Sequence, residues 1–150
     1  MTLRIAMKAL FSLLFLTIFS LQTAAQNVLE TDTYSIHYNA FNSTFIDSNA
    51  AQQNKLIRSK YTAMLNIAVH QKQADKSPKA VTSILTGSVE NLVGQQQTLK
   101  FVKIKEGDAI YYIASFKFVD QEQMNFTVDV QPDPNKAPIK LTLSQKFYVD

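Results

Sequence analysis

Two histidines and a run of amides carry most of the chemistry this sequence could do. His37 stands two residues before Asn39, and Asn42 follows after Phe41. The second histidine, His70, lies some thirty residues on. Imidazole and carboxamide groups both donate and accept hydrogen bonds, so such a set suits recognition of a polar ligand. A nucleophile, base and orienter set would have to recruit one of these histidines to a Ser and an Asp, and no motif singles one out. A zinc site on the pair would need a third ligand and outer support. The plainer reading is two unrelated histidines on polar strand faces, and no metal or cofactor is expected.

Other chemistries lack their residues. There is no cysteine, hence no disulfide and no thiolate site. The three glycines are Gly87, Gly94 and Gly107, too scattered for a phosphate loop or a serine elbow. Glu106 and Asp108 flank Gly107 at a turn, where solvated acids are the rule. Lys100, Lys103 and Lys105 read as edge protection of a sheet rather than as a basic site.

The histidine and amides sit in a stretch built as a strand. Tyr34, Ile36, Tyr38 and Ala40 alternate with Ser35, His37, Asn39 and Phe41. Period two places the first set on a buried face and the second on the opposite one. An aromatic, Phe41, beside His37 and Asn39 suggests a binding surface, with Asn42 at its exit. Asp47 or Ser48 can cap a short helix that follows, and Arg58 near its end could bring a planar cationic fork to the same surface. The competing reading has that helix covering the face, with His37 and Asn39 as buried structural groups.

Further strand-like runs follow: Ala63 to Gln71, Val81 to Val89, Leu99 to Lys105, Ala109 to Val119, Met124 to Val130 and Ile139 to Val149. Gln26 to Asp32 reads as a loose lead-in, and Pro132, Pro134 and Pro138 punctuate a loop. Seven strands, each with one apolar face, predict an all-β, immunoglobulin-like β-sandwich with one short helix; a small closed barrel is the alternative. Tyr112, Phe116, Phe126 and Leu141 are expected to meet in its core.

Residues 1–25 read as a cleaved signal peptide. Arg4 and Lys8 precede an apolar run from Ala9 to Leu21, and Thr23-Ala24-Ala25 offers small residues for cleavage. The run is shorter than the roughly twenty residues a span requires. Residues 26–150 then form a single domain, with no later segment long and apolar enough to span. Arg4 and Lys8 account for two of the fifteen basic residues, leaving thirteen against twelve acids. So near-neutral a domain gives no reason to expect nucleic acid.

Three stretches resemble a family of small exported gammaproteobacterial proteins, the domain of unknown function numbered four-four-two-six. They are His37 to Phe45, Ile57 to Lys60 with Leu65 to Val69, and Glu106 to Tyr112 with the terminal Gln145 to Tyr148. The resemblance implies a periplasmic β-sandwich and brings neither an activity nor catalytic residues. The expected role is therefore a non-catalytic binding or accessory module of the cell envelope. Its partner would be another envelope protein or a small envelope ligand, bound at His37, Asn39, Phe41, Asn42 and Arg58. The alternatives are a metal-handling protein or enzyme centred on His37, and a protease inhibitor presenting the proline-rich loop.

Overall fold

The computed structural model describes residues 27–150. The leader expected over residues 1–25 lies outside them. Alternating apolar residues build ten strands in two antiparallel sheets. The strands are β1 (Asn27–Glu30), β2 (Tyr34–Asn42), β3 (Thr62–Lys72), β4 (Pro78–Ala80), β5 (Ile84–Asn91), β6 (Gln96–Leu99), β7 (Val102–Glu106), β8 (Ala109–Lys117), β9 (Glu122–Gln131) and β10 (Ile139–Phe147). The larger sheet runs β1-β2-β3-β8-β7 with β4 paired to β3, and the smaller runs β10-β9-β5-β6. The architecture is an open two-sheet sandwich, not a closed barrel.

The strand count exceeds the seven expected, for local reasons. The lead-in pairs with β2 as β1, Asn27 opposite Tyr38. The loop after β3 folds back as β4, which meets β3 at His70 to Lys72. The run from Leu99 to Lys105 divides: β6 belongs to the smaller sheet and β7 to the larger, with Lys100 and Phe101 crossing between them. Continuing the apolar alternation across that break hid it. β7 is an edge strand, so Lys103 and Lys105 do blunt an unpaired edge.

Ile36, Leu65, Ile67, Phe116, Phe126, Val128, Leu141 and Phe147 belong to the buried cluster between the sheets. Phe116 of the larger sheet meets Phe126 and Phe147 of the smaller edge-on, at 5.0 and 5.2 Å between ring centres. Such aromatic pairs add to the area they bury. Three of the four expected core residues meet there. Tyr112 is buried outside that cluster, where its hydroxyl accepts a hydrogen bond from the Ser83 backbone N–H at 2.9 Å. Gly87 has a packing reason: a Cβ there would stand 2.7 Å from the Thr127 carbonyl oxygen of the neighbouring strand.

Between β2 and β3 the chain makes an excursion. A 3-10 turn (Ser43–Phe45) leads to the short helix α1 (Ser48–Gln53). Asp47 caps it, its carboxylate accepting from the backbone N–H groups of Asn49 and Ala50. The Ser43 hydroxyl closes the excursion by donating to the Ser59 carbonyl and accepting from the Ser59 N–H, both at 2.9 Å.

Candidate functional site

The outer face of the larger sheet carries the residues left over when the core is filled. On β2 these are Ser35, His37, Asn39 and Phe41; on β3 they are Met64, Asn66, Ala68 and His70. The register sets Phe41 opposite Met64, Asn39 opposite Asn66, His37 opposite Ala68 and Ser35 opposite His70.

The two ends of this face differ. At the Phe41 end, Met64 points outward yet is fully buried, and Ala51 of α1 is buried as well. The excursion thus folds back over that end. At the His37 end nothing among the described residues folds over the sheet. His37 and His70 are half-buried, and Asn39 is exposed.

A cavity of about 450 Å³ opens at the uncovered end. Its cause is a splay between strands. β8 pairs with β3 only as far as Tyr112 opposite Ile67; beyond that point β4 takes over the edge of β3. The departing Ala109, Ile110 and Tyr111 form one wall, while Asn66, Ala68 and His70 form the β3 side. His37, Tyr38 and Asn39 of β2, with Asn27 of β1, complete it.

Two features of this cavity matter chemically. The side-chain oxygen Oδ1 of Asn66 is buried and has no hydrogen-bond partner among the described residues. An unsatisfied buried polar atom costs about 1–3 kcal/mol, so it calls for a reason. The rings of His37 and His70 stand 4.9 Å apart between centres, tilted by 55°. Burial, and secondarily the charge of His37, lowers the His70 pKa below 6.5. His70 is therefore neutral near pH 7 and offers a lone pair. Glu30 lies nearby, but Lys72 holds it at 2.8 Å and the Ser35 hydroxyl donates to it at 2.9 Å. Those hydrogen bonds, Lys72 first, pull its pKa down.

Of the residues singled out in the sequence, His37 and Asn39 line the cavity. Phe41 shares their face at the covered end. Asn42 and Arg58 stand apart from the cavity. Asn42 is buried, and its amide donates to the Tyr148 carbonyl at 2.8 Å and to Asp150 at 3.0 Å, tying down the C-terminus. Arg58 is exposed and donates to the Thr44 carbonyl at 3.2 Å, bracing the excursion. Asn66 and Tyr111 were not singled out. Asn66 had a signal, since it is the polar member of the outward set of β3 beside His70; Tyr111 had none, because the splay of β8 is a tertiary feature.

With the geometry in hand, likeness to known proteins is informative. The family model described as "Domain of unknown function (DUF4426)" matches residues 28–150. The chain belongs to the DUF4426 family. A crystal structure of a DUF4426 family protein from Pseudomonas aeruginosa PAO1 is similar at 28% identity and a TM-score of 0.73, covering 85% of this chain and 98% of that one. FetP of uropathogenic Escherichia coli strain F11, expressed recombinantly in the periplasm, is similar at 13% identity and a TM-score of 0.58, covering 83% of this chain and 94% of FetP. A copper-bound FetP variant gives 14% identity and a TM-score of 0.59, covering 82% of this chain and 95% of that one. At that identity FetP shares the fold and no more. No curated protein matches the chain. Among the described residues no helix is long and apolar enough to cross a membrane.

Proposed function

We propose that this DUF4426 protein is an exported, non-catalytic binding module of the cell envelope, and that it takes its ligand in the open cavity between β2, β3 and β8. The observation that carries the reading is the buried, unpartnered Oδ1 of Asn66 in a cavity also lined by His37, Asn39 and His70. A ligand group that donates a hydrogen bond would satisfy that oxygen. Mixed walls, with Ala68, Ala109 and Ile110 beside the amides and imidazoles, suit a small polar molecule or the end of a partner chain with some apolar body.

Export rests on the sequence of residues 1–25, with cleavage after Ala25 leaving the cavity-lining Asn27 near the new amino terminus. Mass spectrometry of the protein recovered from the periplasm should begin at Gln26; recovery only with Met1 intact in the membrane pellet would refute export. Binding is tested by crosslinking in cells followed by identification of what is captured. His37→Ala with Asn39→Ala should abolish capture and leave the urea midpoint within error of the parent. A pair that captures normally, or one that unfolds, removes the site.

A further inference from the structure

We propose that His37 and His70 bind one divalent transition-metal ion, Cu(II) in preference to others, at the cavity on the outer face of the larger sheet. The inference deepens the binding-site reading above and rests on it.

The spacing of the rings is the first argument. An imidazole nitrogen sits about 2.0–2.1 Å from a bound ion, and the ring centre lies on the order of 1.1 Å farther out. Two imidazoles occupying adjacent positions on one ion therefore have centres about 4.5–5.3 Å apart, between square and tetrahedral angles. The observed separation of 4.9 Å falls within that interval. The ladder produces it. His37 faces Ala68 and His70 faces Ser35, so each imidazole stands opposite a small side chain and the two are diagonal neighbours on adjacent strands. On the ladder between β2 and β3, neither histidine faces a bulky residue that would hold the rings apart.

The donor chemistry is the second argument, and it bears on the ion. Among the described residues, no group of three or more His, Cys, Asp and Glu is placed to hold a metal. Zinc sites ordinarily use three or four protein ligands. Cu(II) heads the affinity order for imidazole sites and accepts tetragonal nitrogen and oxygen donors. Its other positions would be filled by water or by a small chelating ligand, for which a cavity of about 450 Å³ leaves room.

The test titrates Cu(II) into protein purified without a histidine tag and stripped with a chelator. We expect one ion per chain, with electron paramagnetic resonance showing coupling to two imidazole nitrogens. His37→Gln and His70→Gln should each weaken binding by about 100-fold and remove one nitrogen coupling. Asn39→Ala should weaken capture of the crosslinked partner. An unchanged affinity and spectrum in the double glutamine variant would overturn the proposal by placing the ion elsewhere. A stripped protein that binds no copper, yet whose partner capture still depends on His37 and Asn39, would overturn the metal inference and leave the binding module standing. Copper bound through both imidazoles with capture indifferent to Asn39 would do the reverse.

Discussion

The two ends of the outer face of the larger sheet are made by the same two strands and have opposite fates. At the Phe41 end the excursion from Ser43 to Tyr61 closes over the sheet, and Met64 is as buried as any core residue. At the His37 end no described segment folds over the sheet, β8 splays away, and a buried amide oxygen has no partner among the described residues. The covered end fills its space with methionine, phenylalanine and alanine; the open end spends equivalent positions on histidine and asparagine. Packing accounts for the first end. It does not account for the second, where half-buried and exposed polar side chains stand in place of packed ones and the buried Asn66 Oδ1 finds no partner among the described residues. A surface kept at the expense of stability is what the proposed binding site would require.

The comparison can be broken or sharpened by substitution. Phe116, in the core between the sheets, sets the scale: Phe116→Ala should lower stability by about 3–5 kcal/mol in urea denaturation, the usual range for a buried aromatic. An unchanged midpoint would mean that the core lies elsewhere. Met64→Ala tests the covered end and should cost about 2–5 kcal/mol, as for a methionine in a closed interior. His70→Ala, also outward on β3, should stay within about 0.5 kcal/mol at neutral pH. Equal losses at the two positions would erase the distinction between the ends.

Asn42→Ala probes the anchor of the C-terminus near the covered end and should cost about 1–3 kcal/mol, the penalty for losing buried hydrogen bonds. It also has an acid signature. Hydrogen bonds from Thr44 and then Asn42 lower the Asp150 pKa from 3.8. The folded protein therefore holds that carboxylate ionised more readily than the unfolded chain does. The stabilisation is present above about pH 4 and is lost as pH falls through the lowered native value. Asn42→Ala should shrink that acid-dependent part of the urea midpoint.

The smallest expected effect is at His70. Its folded pKa lies below 6.5, so as pH falls from that value the unfolded chain takes up the proton first. Stability should decline from pH 6.5 down to the lowered native value, and no further on this group's account. His70→Gln should flatten the dependence of the midpoint across that window. A slope that survives the substitution would assign the proton to another group.

Period-two alternation made the sandwich legible, because one buried face per strand is a local property. The same alternation found the outward set of β2 and with it His37 and Asn39. It failed where a strand changes sheets, at Lys100 and Phe101, since both sheets demand the same pattern. It did not place Asn42 and Arg58, for a different reason. Their chain neighbourhood is that of β2, but their partners, Tyr148, Asp150 and Thr44, are set by where the excursion and the C-terminus pack. The pairing of His37 with His70 needed the register of β2 against β3, which neither strand specifies alone. The cavity itself needed the departure of β8, and no residue on β8 announces it.

The claim that the open end is kept for a ligand can be tested at Asn66. Asn66→Leu keeps the side-chain volume and removes the polar atom that has no partner. If that atom awaits a ligand, the urea midpoint of the free protein should be unchanged or raised, because an apolar group of similar shape escapes the desolvation cost. A loss of about 1–3 kcal/mol would contradict the account, showing that the amide serves the scaffold.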